Sequence, residues 1–255
     1  MVSDLLYHQA EFDDYVELLR LEYRRKRNFM KLLDGMGYIR HLWQVAVSSS
    51  IGLQSRIQIA YKDGARVVPS DPKTLLTEEE YLAIERGAEF RSEFHGGEMY
   101  AMVGASRRHN RIVTNLVTAL DNQLRDRPCN VYSNDMRVRV TTTGLFTYPD
   151  VVVTCGEEAF AGDEQDTLLN PLVIFEVLSD STEAYDRGKK FEHYQNIDSL
   201  STYVLVAQKA QRIERYVRHE GGRAWIYTEA HEANAMVGIE AIRCDLRLED
   251  VYAKV

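Results

Sequence analysis

The chain has 255 residues, of which 45% are hydrophobic and 27% charged, and its 31 Lys+Arg against 39 Asp+Glu give a formal net charge of -8. This is the composition of a folded globular protein, and it excludes a disordered chain, a collagen-like or disulfide scaffold and a generally basic nucleic-acid coat protein. A nucleic-acid enzyme is still compatible with it, because such an enzyme needs positive charge only where phosphate lies.

Residues 1–75 are predicted to form an N-terminal extension of unknown role. Apolar residues at spacings of three and four predict an amphipathic helix from about Glu11 to Leu33, and a short strand is predicted at Ile57 to Tyr61. Pro69 and Pro72 mark the boundary to a second segment, residues 76–255. The extension could serve dimerisation or DNA contact, or it could be upstream sequence read from a misassigned start codon.

Targeting signals and cysteines give one expectation about the compartment. The first residues include acids and lack the apolar core of a signal peptide, and no stretch reaches the roughly 20 apolar residues of a membrane span. Cys129, Cys155 and Cys244 are odd in number, far apart and in no CxxC or Cys/His cluster, so they predict reduced thiols and no zinc site. We therefore expect a soluble, cytoplasmic protein.

The second segment alternates between helical and strand-like patterns. Its predicted elements are a helix capped by Thr77 with Glu80, a hairpin in Phe90–Met102 around His95-Gly96-Gly97, a helix from Ser106 to Arg125, strands at Val131–Val140 and Phe146–Thr154, an acidic loop at Gly156–Asp166, a buried strand at Leu172–Leu178, a helix at Tyr185–Ile197, and strands at Thr202–Ala207, Ile213–Arg218 and Ala224–Thr228.

A carboxylate interrupts the most apolar of these strands. Glu176 lies in the middle of Leu172–Leu178, where an ionised side chain is costly unless it is paired or bound to a metal. Asp150 follows Pro149 at the start of a neighbouring apolar strand. Two carboxylates at adjacent strand positions make a hard oxygen site suited to Mg²⁺ or Mn²⁺. The alternatives are a strand-end or ion-paired glutamate and a turn-capping aspartate.

The helix that follows supplies a cation. Asp186, Lys190 and Tyr194 are spaced i, i+4 and i+8, which puts them on one helix face. If that face looks toward the sheet edge, Lys190 can reach a water or phosphate held between the two carboxylates. The alternative is a surface ion pair between Lys190 and Asp186.

Several short motifs, in this order and spacing, resemble the Uma2 group of proposed endonucleases, a bacterial branch of the PD-(D/E)XK nuclease fold. They are Leu76–Tyr81, Ser92–Phe94 with Gly97–Glu98, Gly104–Ser106 with His109–Asn110, Tyr148–Val151, Glu176–Ser179 with Ser181–Thr182, and Tyr185–Gly188 with Lys190 and Tyr194. The resemblance covers roughly the last 180 residues. It implies an α/β fold of the restriction-endonuclease type, with a mixed central sheet flanked by helices.

The resemblance also implies roles for individual residues. Asp150 and Glu176 correspond to the metal carboxylates, Glu93 to an additional metal-binding acid, and Lys190 to the catalytic lysine. In the superfamily that lysine usually lies two residues after the acid, where this chain has Leu178. Uma2-like sequences place it on the following helix, which is chemically acceptable because the position of the ammonium matters more than the element that carries it. A further acid, Glu98, is an alternative to Glu93.

A basic stretch suits a nucleic-acid partner. Residues 101–140 hold seven arginines and three acids, a net +4, whereas the whole chain is acidic. Arg107, Arg108 and Arg111 begin a helix whose N-terminus favours anions, so we predict that they bind nucleic acid together with His109. A structural partner is the alternative role for His109.

The sequence therefore predicts a Mg²⁺-dependent DNA endonuclease, in which Mn²⁺ can replace Mg²⁺ and a metal-activated water is the nucleophile. DNA and a second copy of the chain, in a homodimer, are the expected partners. One alternative is a DNA-binding module of the same fold with little or no cleavage activity, associated with mobile elements or defence. Another is hydrolysis of a different phosphoester such as RNA.

Overall fold

The computed structural model describes residues 59–60, 75–102, 104–220, 222 and 224–255. The chain divides into two units, Met1–Ile57 and Gln58–Val255, and all of the described residues belong to the second. The helix predicted from Glu11 to Leu33 lies outside the described residues. Of the strand predicted at Ile57 to Tyr61, Ile59–Ala60 are described and are a strand.

Helices separate groups of successive strands along the described chain. The strands are β1 (Ile59–Ala60), β2 (Ser92–His95), β3 (Glu98–Ala101), β4 (Cys129–Ser133), β5 (Arg137–Val140), β6 (Leu145–Thr147), β7 (Val151–Cys155), β8 (Thr167–Leu168), β9 (Val173–Leu178), β10 (Thr202–Ala207), β11 (Ile213–Arg218), β12 (Trp225–Ala230), β13 (Met236–Ile239) and β14 (Cys244–Arg247). The helices are α1 (Glu78–Gly87), α2 (Arg107–Leu124), α3 (Glu183–Tyr185), α4 (Phe191–Tyr194) and α5 (Leu248–Val251), with a π-helical turn at Asp186–Lys190 and a 3₁₀ turn at Glu240–Ile242. No helix in this part of the chain is long and apolar enough to cross a membrane.

The strands form two larger sheets and a hairpin. The first sheet has the order β1-β3-β2-β6-β5-β8, the second has the order β12-β11-β10-β9-β7-β4, and β13 pairs with β14. In the second sheet β9 runs parallel to β10 and antiparallel to β7. The mixed central sheet flanked by helices is therefore confirmed.

The central strand β9 is buried on both faces. Phe175 packs in one hydrophobic cluster with the apolar face of α2, represented by Leu116 and Leu120. Ile174, whose side chain points the other way, packs in a second cluster that contains Tyr194. Each such fully buried side chain contributes about 1.5–3 kcal/mol of transfer free energy. A glutamate in this strand is consequently held in a rigid, dry position.

Local signals placed most of these elements correctly. Thr77 and Glu80 form the predicted capping box of α1, and the side chain of Ser106 caps α2. Gly96 and Gly97 have φ values of 60° and 84°, which a two-residue turn between β2 and β3 requires and which glycine adopts without steric cost. The fully buried strand predicted at Leu172–Leu178 is β9.

Two predicted strands are divided in the structure. Val131–Val140 contains the end of β4 and all of β5, and Phe146–Thr154 contains parts of β6 and β7. In each case the two pieces belong to different sheets. The chain changes sheet at a turn in which Met136 donates to the Ser133 carbonyl, and again at Pro149. The prediction was wrong here because apolar residues continue through both breaks.

A disulfide joins Cys129 and Cys155, contrary to the expectation of reduced thiols. The two residues lie directly opposite each other on the antiparallel strands β4 and β7. They are 26 residues apart in sequence, so strand pairing brings them together and local spacing gives no sign of it. The third cysteine, Cys244, is free and buried.

Candidate active site

The ends of β7 and β9 bring Asp150 and Glu176 together. Val151 pairs with Phe175, so the next rung of the antiparallel ladder places Asp150 opposite Glu176. Asp150 Oδ2 accepts a hydrogen bond of 2.7 Å from the backbone amide of Val177. Strand register, which is fixed by the buried apolar neighbours, therefore sets the position of both carboxylates.

Glu176 is almost completely buried, at 3% exposure. Its Oε1 accepts hydrogen bonds of 2.8 Å from the Tyr194 hydroxyl and the Lys190 ammonium. Burial raises the pKa of the Glu176 carboxyl above its ordinary value, Lys190 opposes this effect, and the nearby charges of Asp186 and Asp150 add to it. The ionised form of this carboxyl is therefore tolerated only with cationic help.

Lys190 lies at the end of the π-helical turn and is itself buried. Its Nζ is 2.8 Å from Glu176, 3.3 Å from Glu93 and 3.6 Å from Asp186. Burial lowers the pKa of Lys190, but attraction to these acids and to the phenolic oxygen of Tyr194 outweighs it, so the pKa is raised well above its ordinary value. The side chain is accordingly a fixed ammonium and unsuited to act as a base.

The π-helical turn separates the short helices α3 and α4. Such turns occur mainly as single insertions in α-helices and are frequent at functional sites. Asp186 begins the turn and its ion pair with Lys190 keeps the i, i+4 contact that the sequence predicted. Tyr194 follows on α4 with its ring 6.0 Å from Lys190 Nζ. The predicted common face of the three residues therefore exists, and it looks toward β9.

Glu93 comes to this cluster from the first sheet. It lies on β2, is buried, and accepts a 2.7 Å hydrogen bond from Thr147 Oγ1. Its Oε1 also faces Lys190. Thr147 ends β6 three residues before Asp150, and nothing in the sequence distinguishes it from other strand threonines. Glu98, the alternative acid, is half-buried on β3 and accepts a hydrogen bond from Tyr100.

His109 has a partner inside the site. It is buried at the start of α2, and its Nε2 lies 3.1 Å from Asp150 Oδ2. Its Nδ1 is buried without a hydrogen-bond partner among the described residues. By contrast, Arg107 and Arg108 are exposed, and Arg111 donates a long 3.5 Å hydrogen bond to the Ala253 carbonyl. The structure thus places His109 against a carboxylate and leaves the two arginines facing solvent.

The donor chemistry of the two strand carboxylates fits a hard divalent cation. Asp150 and Glu176 each use one oxygen for the contacts above, and their other oxygens, Oδ1 and Oε2, accept no hydrogen bond from the described residues. Carboxylate oxygens are preferred ligands of Mg²⁺, which binds through one or two of them and keeps several waters. No group of three or more His, Cys, Asp or Glu among the described residues is arranged to hold a metal. The suitability of this site for Mg²⁺ therefore depends on the two carboxylates Asp150 and Glu176.

The fold is similar to that of a solved nuclease candidate. It matches, with a TM-score of 0.56 and 17% sequence identity, the structure titled a "putative nuclease belonging to DUF820" from Anabaena variabilis; the match covers 69% of this chain and 96% of the other. At this identity the similarity establishes the fold alone.

The family is established by sequence. The model of the Uma2 family, described as "Putative restriction endonuclease", matches residues 78–249, and the chain belongs to this family. Two relatives come from Synechocystis sp.. Uncharacterized protein sll1609 is 37% identical over 64% of this chain and 92% of its own length, and uncharacterized protein slr1290 is 33% identical over 72% and 95%.

Proposed function

We propose that the protein is a Mg²⁺-dependent endonuclease that hydrolyses phosphodiester bonds of DNA. The observation that carries the proposal is the meeting of Asp150, Glu176 and Lys190 at the ends of β7 and β9, with the Lys190 ammonium 2.8 Å from Glu176. Membership of a family described as putative restriction endonucleases supports the same class of reaction.

Asp150 and Glu176 would hold the metal through the oxygens that make no hydrogen bond. When bound there, Mg²⁺ supplies a Lewis acid that acidifies a water, the nucleophile, and offsets negative charge on the phosphate. Val177 and His109 keep Asp150 in place by donating to its other oxygen. Tyr194 does the same for Glu176, and burial raises the pKa of its phenol well above the ordinary value, so the hydroxyl stays a donor.

Lys190 would orient the attacking water and stabilise charge that develops on the phosphate. A preorganised cation in a dry site is most effective for this purpose, because it need not reorganise during the reaction. Its three carboxylate contacts fix the ammonium in position. Glu93 would hold this ammonium or a water in the outer sphere of the metal, since its Oε1 already faces Lys190.

The exposed arginines at the start of α2 would bind the DNA backbone. Arg107 and Arg108 lie in the first turn of the helix whose His109 contacts Asp150, so a phosphate bound to them is close to the carboxylates. Backbone amides at a helix N-terminus add to the attraction for phosphate. Replacing both arginines should weaken DNA binding and lower its salt dependence.

The test is incubation of purified full-length protein with supercoiled, linear and single-stranded DNA in Mg²⁺, Mn²⁺ or EDTA. We expect cleavage with either metal and none in EDTA. Asp150→Asn, Glu176→Gln and Lys190→Met should each lose at least about a hundredfold in rate, as when a transition-state-stabilising group is removed. Asp163→Asn, in the exposed part of the acidic loop, is the matched control and should cleave like the unaltered protein.

Four results would contradict the proposal. Cleavage in EDTA, or cleavage that survives Glu176→Gln, would exclude the metal-carboxylate site. Binding of DNA without cleavage in every metal would favour a DNA-binding module of the same fold, and cleavage of RNA in preference to DNA would change the substrate class.

A further inference from the structure

Two histidines face each other beside the candidate active site. His95 ends β2 and His193 lies on α4, and their ring centroids are 4.6 Å apart with an interplanar angle of 68°. Both side chains are half-buried. They come from elements already joined by the ion pair of Glu93 and Lys190, because strand positions 93 and 95 share one side and helix positions 190 and 193 lie one turn apart. The meeting of the rings is therefore set by rigid packing.

Neither ring is used by the rest of the described structure. No ring nitrogen of His95 or His193 takes part in a hydrogen bond or ion pair with a described residue, and the contact between the two rings is what the structure records. Two adjacent imidazoles with open nitrogens are chemically distinct from the carboxylate site. Nitrogen ligands favour Ni²⁺, Cu²⁺ and Zn²⁺, whereas Mg²⁺ favours oxygen.

We propose that His95 and His193 form a second metal site, which binds a divalent transition-metal ion through one nitrogen of each imidazole. In a tetrahedral ion with metal–nitrogen distances of about 2.0–2.1 Å, two coordinated imidazoles have ring centres about 5 Å apart. The observed 4.6 Å between the edge-to-face rings is close to this value. Water completes the coordination, because the rings are partly open to solvent.

The surroundings of His193 favour its neutral form. Metal ligation requires the neutral imidazole. Burial lowers the pKa of His193, the neighbouring His95 lowers it further, and the charges of Glu192 and Glu93 act in the opposite direction. The two acids also favour a cation electrostatically, although Lys189 opposes it.

A metal bound here would link the first sheet to the helical segment that carries Lys190. His95 belongs to β2 of the first sheet, and His193 follows Lys190 by three residues. A metal that binds only the folded chain stabilises it, by an amount that grows with the logarithm of the metal concentration once the site is mostly filled. The site does not depend on the proposed nuclease activity, because neither the ligands nor the readouts below involve DNA.

The experiment is calorimetric titration of untagged full-length protein with Ni²⁺ in buffer containing millimolar Mg²⁺, which occupies the oxygen site. We expect one Ni²⁺ per chain at this pair. His95→Gln and His193→Gln should each weaken that binding at least about tenfold, the minimum effect of disturbing a metal's coordination. With Cu²⁺ as probe, electron paramagnetic resonance should show coupling to two nitrogens in the unaltered protein and to fewer in each variant.

His231→Gln is the matched control, because His231 is exposed and lies after β12 on a different sheet edge. Its Ni²⁺ affinity should equal that of the unaltered protein. Circular dichroism and urea unfolding of the variants check that glutamine is tolerated at these half-buried positions. Absence of Ni²⁺ binding, an affinity in both histidine variants equal to that of the unaltered protein, or loss of binding when Mg²⁺ is raised would overturn the proposal.

Discussion

Two groups of buried charged residues in this molecule are organised in opposite ways. The lysine cluster consists of Glu93, Glu176, Asp186 and Lys190, and in the described structure one ammonium is shared by three carboxylates at 2.8–3.6 Å. The three acids lie on β2, on β9 and on the π-helical turn, and their carboxylates all point at the Lys190 ammonium.

The arginine cluster, which consists of Glu85, Arg137, Tyr148 and Asp166, is linked by successive pairwise contacts, although Glu85 Oε2 is buried without a hydrogen-bond partner among the described residues. Arg137 pairs with Asp166 at 2.8 Å and donates to the Tyr148 hydroxyl at 3.1 Å. That hydroxyl in turn donates to Glu85 at 2.9 Å. The Glu85 carboxyl also accepts a hydrogen bond from the backbone amide of Ser92, which ties α1 to the β2–β3 hairpin.

The difference is the one expected between a structural cluster and the proposed functional one. In a buried ion pair, the attraction between the partners offsets much of the free energy lost when both are removed from water. Where several acids surround one cation, their mutual repulsion remains, and an additional positive charge would stabilise the folded state. Both clusters are buried and polar, so burial alone would not distinguish them. Among the described residues, the number of carboxylates in contact with one cation does, since Lys190 contacts three and Arg137 contacts one.

Removal of the cation from the lysine cluster should have the largest effect. Lys190→Met leaves three neighbouring carboxylates without their shared ammonium and should lower the free energy of unfolding in EDTA by about 4 kcal/mol. Mg²⁺ should restore part of the loss, because the proposed metal replaces some of the missing charge. Urea unfolding with and without Mg²⁺ measures both effects. Lys189→Met, at an exposed position, should change stability by less than about 0.5 kcal/mol.

Loss of the cation from the arginine cluster should lower the free energy of unfolding by the same amount with and without metal. Arg137→Met removes the buried partner of Asp166 and Tyr148 and should cost about 3 kcal/mol. The loss is smaller than for Lys190 because Asp166 is one-third exposed and keeps an ion pair with Arg86. Unfolding in Mg²⁺ and in EDTA should give the same difference. A recovery in Mg²⁺ equal to that of Lys190→Met would mean that the two clusters are not distinct in kind.

Much of the fold followed from local sequence. The capping box at Thr77, the glycine turn after His95 and the apolar run through β9 each depend on neighbouring residues, so a single sequence is enough to place them. The division of Val131–Val140 between two sheets depends on tertiary pairing, and the run of apolar residues hides it.

The candidate site was predictable to the extent that its residues interrupt a pattern. Glu176 breaks an apolar strand, and Asp186, Lys190 and Tyr194 share a helical spacing that the structure preserves. The contact of His109 with Asp150 and that of Thr147 with Glu93 join residues 41 and 54 positions apart, and no local signal carries such information. The disulfide and the histidine pair were missed for the same reason.

Neutralising one acid of the lysine cluster should stabilise the protein while abolishing cleavage. Glu176→Gln keeps an oxygen for the Tyr194 hydroxyl and leaves Lys190 with two carboxylates. Since burial raises the pKa of Glu176, its ionisation opposes folding, and the variant should gain about 1 kcal/mol at pH 8 in EDTA. Urea unfolding measures the gain. A loss of stability comparable to that of Lys190→Met would show that the carboxylate is a structural partner of the lysine.

The pH dependence of the free energy of unfolding should also distinguish the two clusters, and this is the smallest of the expected effects. Burial raises the pKa of both Glu176 and Glu85 above their ordinary value of 4.5. The folded state then keeps protons that the unfolded chain has lost, so the free energy of unfolding should fall as the pH rises from 4.5 toward the raised pKa values. Bound Mg²⁺ favours the ionised form of Glu176 and should remove its share of this slope, while the share of Glu85 remains.

Unfolding curves from pH 5 to 9 for Glu176→Gln and Glu85→Gln, each with and without Mg²⁺, test this assignment. If the Mg²⁺-sensitive part of the slope disappears in Glu85→Gln and persists in Glu176→Gln, the cation acts on the arginine cluster and the proposed metal position is wrong.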